Sequence, residues 1–349
     1  MKAGRGPVAL QDEMSGAVTI GIDVGGTKIL GLVVDAAGAV LAEAKAPTPR
    51  LLALASTGEP GGDAVIDSIA GLVEQLLEQV GPAVVSSVGV GVPGLVDDTG
   101  MLRFAPNLPG GEGLDVRGQL SERLTGLRVV VDNDATCAVI GEWIYGAAAG
   151  ASDAVVVTLG TGIGGGLVVN GKVARGALGY AGEIGHMVVD PSGPVCPCGK
   201  RGCWERFASG SGLGRLAREA AHAGRLDEVL GRAGGDPETV RAEDVTTAAA
   251  AGDAAAQAVL EELGWWLALG LANLANILDP SVFVLGGGLV DALDLVLEPV
   301  RSSFDDLVEG RFGRPEVMIR LAQLGERAGA VGAGVLARQN HRALVGRPD

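Results

Sequence analysis

Aromatic residues are scarce in this chain, at 3%, so its strands and helices must be built mainly from Val, Leu and Ala. Positive charge is also short: 27 Lys and Arg stand against 42 Asp and Glu, a formal net charge of −15. No basic stripe is visible, which argues against nucleic acid or an anionic membrane as a partner. The acidity itself reads as solubility. There are only four cysteines, three of them at ligand spacing, so no disulfide framework is expected and a reducing, cytoplasmic setting is. Residues 1–17 lack the apolar core of a signal peptide. The most apolar run, Trp265 to Leu278, is too short for a membrane span and carries Asn273 and Asn276, so it reads as a buried helix.

Glycine is abundant, with 58 in 349 residues, and the chain is long enough to bury a large core. Val18–Asp23 and Ile29–Val34 read as strands around Val24-Gly-Gly-Thr-Lys28, and Ala39–Glu43 as a third. The spacing of Ile66, Ile69, Leu72, Val73, Leu76 and Leu77 predicts a helix over 63–80. Strands follow at Val84–Val92 and Arg128–Val131, then a helix at Ala135–Gly146. Ala154–Leu159 and Gly166–Val169 repeat the strand–glycine–strand layout. A shift of 135 residues places Gly31-Leu-Val-Val34 on Gly166-Leu-Val-Val169, Gly25 on Gly160 and Asp23 on Thr158. This supports a duplicated fold of two half-domains. Asp253–Leu278 reads as a long helix, Ser281–Leu285 as a strand, Gly286–Gly288 as the opening of another helix, and Ala328–Gln339 as a last helix. Ala220–Asp253 reads as a helical cap, and Leu344–Asp349 as a frayed tail.

Gly160-Thr-Gly-Ile-Gly-Gly165 matches the dinucleotide fingerprint in letters, but that fingerprint needs a helix after its glycines. A strand follows here, and Asn170-Gly171 signals a hairpin turn. The glycines instead make a hairpin tip whose N–H groups can form an anion nest. Two such tips, each with a threonine (Thr27, Thr161), favour phosphate binding over plain turns. Asp23, ending a strand beside the first tip, is placed to hold Mg²⁺ through water. Asp132, Asn133 and Asp134 lie between a strand and a helix. One of them is expected to cap that helix, and three capping-type residues exceed that need. His186, Cys196, Cys198 and Cys203 have the number and spacing of a closed tetrahedral zinc site, bracketed by Glu183 and Glu205. Cys137 reads as core packing.

Together these motifs closely resemble the ROK family of bacterial sugar kinases and regulators, from about Thr19 to Gly334. Asp23-Val-Gly-Gly-Thr27 is similar to the family's first phosphate motif and Leu159-Gly-Thr-Gly-Ile-Gly-Gly-Gly166 to the second. Val282-Phe-Val-Leu-Gly-Gly-Gly288 is similar to the adenosine motif. Gly182-Glu-Ile-Gly-His186 with Cys196-x-Cys198-Gly-x-x-Gly-Cys203-x-Glu205 resembles the zinc-bearing signature. The resemblance implies a duplicated actin-like ATPase fold (ribonuclease H-like), with two α/β domains around a cleft. A small domain is expected over 18–132 and a large one over 133–324, with a C-terminal helix near 325–342 packing back on the small one; 1–17 and 344–349 are expected to be disordered tails.

The resemblance further implies ATP-dependent phosphorylation of the 6-hydroxyl of glucose, feeding glycolysis. Asp134 corresponds to the general base. Asn133, Glu183, Glu205 and Asn107 correspond to hexose-hydroxyl partners, and His186 to a residue that binds zinc through one ring nitrogen and the sugar through the other. ATP is expected at Asp23, Gly25, Gly26, Thr27, Lys28, Gly160, Thr161, Gly162, Gly287 and Gly288, with Mg²⁺ held through water at Asp23 and a structural zinc on His186, Cys196, Cys198 and Cys203. A homodimer or homotetramer is also implied. The alternatives are a kinase for N-acetylmannosamine, N-acetylglucosamine, fructose or allose, or a sugar-responsive repressor; the latter is disfavoured by the acidity and by the 18 or so residues before the first strand, too few for a DNA-binding module. One departure is Gly111, where many relatives carry Trp, which points to a more open sugar-side loop.

Overall fold

The computed structural model describes residues 18–49, 61–81, 85–105 and 111–339; Asn107 and both expected tails lie outside them. The chain begins with β1 (Val18–Val24), β2 (Lys28–Val34) and β3 (Val40–Pro47), then α1 (Gly61–Val80) and β4 (Val85–Val92). The short strands β5 (Leu95–Val96), β6 (Met101–Phe104) and β7 (Leu114–Asp115) form a small sheet of their own. They precede α2 (Val116–Arg123), β8 (Arg128–Asn133) and α3 (Asp134–Tyr145). A second run of strands follows: β9 (Ala154–Leu159), β10 (Ile163–Val169) and β11 (Lys172–Ala174). Next come α4 (Glu205–Ala208), α5 (Gly210–His222), α6 (Asp227–Arg232), α7 (Ala242–Ala250) and α8 (Ala254–Leu278). The last elements are β12 (Val282–Gly286), α9 (Val290–Leu307), β13 (Met318–Leu321) and α10 (Ala328–Arg338).

Two five-stranded sheets have the orders β3-β2-β1-β4-β8 and β11-β10-β9-β12-β13. They correspond strand for strand. The repeat read from the sequence falls on equivalent places: Gly31–Val34 lies in β2 and Gly166–Val169 in β10, while Gly25 and Gly160 each follow the first strand of their set. In the first sheet β1 pairs antiparallel with β2 and parallel with β4, which pairs parallel with β8. Asn170 and Gly171 take φ of 52° and 70°, the left-handed turn expected between β10 and β11. A strand, not a helix, follows the Gly160–Gly162 tip.

By contact, the chain forms two compact units: the described residues of 1–156, 166–182 and 323–349 make one, and 157–165 with 183–322 the other. This division differs from the expected 18–132 and 133–324. The reason is packing. Helix α3 nests so closely against α10 that a Cβ on Gly332 would lie 1.7 Å from the Cys137 carbonyl oxygen. The end of α3 also holds the incoming chain: the fully buried Glu142 carboxylate accepts the N–H groups of Gln323 at 3.1 Å, Leu324 at 2.8 Å and Ala147 at 2.8 Å.

The period-2 alternation of β1 sorts its side chains onto two faces. Ile20, Ile22 and Val24 enter a core with Ile66, Ile69, Val73 and Leu76 of α1. Thr19, Gly21 and Asp23 face α10. Thr19 Oγ1 donates to Gly334 O at 2.9 Å, and a Cβ on Gly21 would lie 1.8 Å from Ala330 O. A Cβ on Gly329 would lie 2.6 Å from Asp23 Cγ. The first turn of α10 therefore lies at Asp23. Among the described residues no helix is long and apolar enough to cross a membrane.

Candidate functional site

The candidate residues fall into a set in each unit. In the first unit, strand register aligns Asp23 with Gly91, and Gly91 with Asp132. Asp23 is partly buried, and burial, with the Asp134 charge adding and Lys28 opposing, lifts its carboxyl from 3.8 to about 7. The tip beyond it is a tight turn: Gly25 N–H donates to Lys28 O at 2.9 Å, and Thr48 Oγ1 to Gly25 O at 2.7 Å. Gly26, Thr27 and Lys28 are exposed, and nothing comes within 4 Å of a Cβ placed on Gly26. Lys28 forms an ion pair with Glu326.

The Asp-Asn-Asp run divides its labour. Asn133 is the N-cap: its Oδ1 accepts Thr136 N–H at 2.9 Å. Its amide nitrogen donates to Gly94 O at 3.1 Å and to Asp134 Oδ1 at 3.0 Å, which uses both amide protons. Asp134 Oδ1 also accepts Ala135 N–H at 2.8 Å. These two bonds fix the carboxylate plane and leave Oδ2 outside them. Burial raises the Asp134 carboxyl, against the lowering effect of its hydrogen bonds. Asp132 is buried and ion-paired with Arg175, a partner the sequence reading did not find because nothing local links positions 43 residues apart. Cys137 is fully buried, and burial pushes its thiol well above the usual range.

In the second unit, Gly160 N–H donates to Gly162 O at 3.0 Å and closes the second tip. The loop after β12 meets the base of that tip. Gly287 has φ 99°, a Cβ there would lie 2.5 Å from Leu159 O, and Leu289 N–H donates to the same oxygen at 3.0 Å. The Glu183–His186 turn packs against the strand that leaves the tip, since a Cβ on Gly185 would lie 2.1 Å from Ile163 O.

The cysteine turn is built by short-range geometry. Gly199 and Gly202 take φ of 88° and 72°, Cys196 N–H donates to Lys200 O at 2.8 Å, and Val195 bridges Arg201. Trp204, fully buried, anchors the loop by donating Nε1–H to Trp266 O at 2.8 Å. Ligand atoms of His186, Cys196, Cys198 and Cys203 all lie within 4.8 Å of one another. Cys198 and Cys203 Sγ are 3.6 Å apart, and Cys196 Sγ is 3.7 Å from His186 Nδ1. Zn–S bonds of about 2.3 Å and Zn–N bonds of about 2.0–2.1 Å in a tetrahedron require ligand separations of about 3.6–3.8 Å. The donor set therefore fits a closed zinc site. His186 turns Nδ1 to the cluster, while its Nε2 lies 3.9 Å from Glu183 Oε2. Cys196 Sγ donates to Glu205 Oε1 at 2.9 Å, and burial raises the Cys196 thiol above its ordinary range.

Sequence comparison places these features in a family. The ROK family model matches residues 19–340. A glucokinase of Streptomyces coelicolor is 41% identical over 325 residues, 92% of this chain and 98% of that protein. The crystal structure of a ROK family glucokinase from Streptomyces griseus in complex with glucose and AMPPNP superposes with a TM-score of 0.81 at 40% identity, covering 93% of this chain and all of that one. A ROK hexokinase structure from Thermus thermophilus gives a TM-score of 0.73 at 33% identity over 92% of this chain and 97% of the other. The fold is accordingly the duplicated actin-like ATPase architecture of these sugar kinases. With the matched region running through both tips, the Asp-Asn-Asp run and the cysteine turn, the chain belongs to the ROK family.

Proposed function

We propose that this chain is a glucokinase that transfers the γ-phosphoryl group of ATP to the 6-hydroxyl of glucose. The single observation that carries the reading is Asp134: a carboxylate at the first residue of α3, just beyond β8, oriented by Asn133 and Ala135, in a chain similar over nearly its whole length to a glucokinase solved with glucose and AMPPNP. Phosphoryl transfer asks for positioning and charge stabilisation rather than covalent catalysis. Asp134 Oδ2 accepts the hydroxyl proton as that oxygen attacks the γ-phosphorus, and burial makes the carboxylate a better base than a solvated one.

The remaining roles are assigned on the family motifs and the chemistry of each group. Gly25, Gly26, Thr27, Lys28, Gly160, Thr161 and Gly162 bind the ATP phosphates, and Gly287 and Gly288 the adenosine. Asp23 would hold Mg²⁺ through water, and the ion would supply charge neutralisation at the phosphates. Asn133, Glu183, His186 and Glu205 take hexose hydroxyls, as does Asn107. Since Asn133 has spent both amide protons, it serves the sugar as an acceptor or by exchanging a bond. His186, Cys196, Cys198 and Cys203 hold a structural zinc, which fixes the loop that carries Glu205. A bound metal would take the Cys196 sulfur as thiolate, and Glu205, which accepts from that thiol here, would then be free to turn to a hydroxyl. A cytoplasmic homodimer or homotetramer completes the proposal, and light scattering tests the assembly.

The decisive experiment is a coupled assay across hexoses and phosphoryl donors with wild type and Asp134→Ala. Glucose with ATP should be preferred. The variant should bind glucose yet lose about 10²–10⁴-fold in turnover. Near-normal turnover removes Asp134 from the base role, and faster phosphorylation of N-acetylmannosamine than of glucose overturns the substrate assignment.

A further inference from the structure

Within the second unit, the nucleotide-side tip and the turn that carries Glu205 meet at one buried hydroxyl. Ser209 is fully buried and caps α5, its Oγ accepting Gly212 N–H at 3.2 Å. The same Oγ lies 2.9 Å from Thr161 O in the tip and 2.6 Å from Glu205 O in the preceding turn. A serine hydroxyl has one proton. Only one of the two carbonyls can receive it at a time, and Ser211 Oγ, 3.0 Å away, is a third partner for the exchange.

The surroundings make this junction tight. Gly210 N–H donates to Gly160 O at 2.8 Å, and Ser211 N–H to Thr161 O at 3.3 Å. A Cβ on Gly162 would lie 2.4 Å from Glu205 Oε2, so the tip backbone and the Glu205 carboxylate are in van der Waals contact. A shift of the tip is thus felt by Glu205 at both its carbonyl and its carboxylate. The hydroxyl has two discrete hydrogen-bonding arrangements, and each neighbour's ligand can bias the choice.

We propose that Ser209 is a positioning residue through which glucose at Glu205 and the ATP phosphates at Gly160–Thr161 bind cooperatively. This rests on the roles given to Glu205 and the second tip in the proposed function. Ser209 is fully buried, so it acts through its neighbours. It converts a small displacement of Thr161 into a change in the bond that holds the Glu205 turn, and the converse. Linkage requires that the factor by which glucose tightens the nucleotide equal that by which the nucleotide tightens glucose.

The test is titration calorimetry on the full chain with glucose and Mg-AMPPNP, each alone and with the other saturating. The variants are Ser209→Gly, which preserves most of the helix cap while deleting the hydroxyl, and Ser209→Thr, which keeps it. Wild type should show reciprocal tightening of roughly 5–50-fold. Ser209→Gly should bring that factor within about twofold of unity while glucose alone binds within about threefold of wild type, and Ser209→Thr should retain the wild-type factor. Should Ser209→Gly not fold, Ser209→Cys, near-isosteric but a weak donor, carries the same expectation. An unchanged factor in the folded variants, or no tightening in wild type, overturns the proposal. Absence of any glucose binding to wild type is a different failure, because it removes the assignment of Glu205 on which the proposal stands.

Discussion

Replacing Asp23 by Asn should raise the stability of the folded chain above neutral pH even as it damages turnover. The carboxyl is lifted from 3.8 to about 7 in the folded state, chiefly by burial. Between those values the folded state binds a proton that the unfolded state has released, so stability falls as pH rises through this window and levels off above about 7. A shift of about 3 units at ~1.4 kcal/mol each gives about 4 kcal/mol as the upper limit of that loss. Asp23 is only partly buried, and the first turn of α10 favours its charged form by roughly 0.3–1 kcal/mol, so about 2 kcal/mol is the better figure. Asn has nearly the same shape and carries no charge. In EDTA, without nucleotide, Asp23→Asn should melt several degrees above wild type at pH 8, and the gap should close at pH 4.5. Turnover should fall at both. A melting difference that is equal at the two pH values, or favours wild type at pH 8, would refute an ionised carboxylate held there at a cost in stability.

Three other perturbations probe separate parts of the structure. Gly162→Ala places a methyl 2.4 Å from Glu205 Oε2, so the carboxylate must swing aside and steady-state kinetics should show the glucose KM rising roughly tenfold, although the residue lies in the tip proposed for the ATP phosphates. A larger rise in the ATP KM than in the glucose KM would contradict this. Glu142→Gln keeps one strong acceptor oxygen where two served three N–H groups, so at least one buried N–H loses its partner. Chemical denaturation should register a loss of about 1–3 kcal/mol. Metal analysis should find about one zinc per chain. Removing it with a strong chelator should change the near-ultraviolet spectrum of Trp204 and weaken glucose binding more than nucleotide binding.

The parts of this molecule legible in its sequence are those written in short-range pattern. The β1–β2 hairpin, the left-handed Asn170-Gly171 turn and the helix over Ile66–Leu77 follow from alternation, turn chemistry and apolar spacing, all within about twenty residues. The cysteine turn is equally local, which is why His186, Cys196, Cys198 and Cys203 come together as the spacing suggested. Contacts between distant positions left no such trace. Thr19 meets Gly334, Glu142 holds Gln323 and Leu324, and Asp132 pairs with Arg175. A boundary expected after 132 therefore missed that α3 is bound to the returning chain. Ser209 was equally hidden: a serine between a short helical turn and a glycine is commonplace, and its importance lies in which carbonyls surround it.

The return of α10 to β1 also sets an order of events in making the protein. Asp23 leaves the ribosome long before the glycine it rests against, which stands at 329. Until residues 323–338 have emerged, Thr19, Gly21 and Ser87 lack the α10 backbone they meet, and that side of the first sheet is covered only in part, by α3. The segment 183–322 can fold during that interval, because apart from 157–165 its unit is continuous in sequence. The first unit, although begun earlier, must finish later. A nascent or prematurely stopped chain would thus leave Leu30, Leu32 and Val34 without their α10 cover, open to chaperones and proteases.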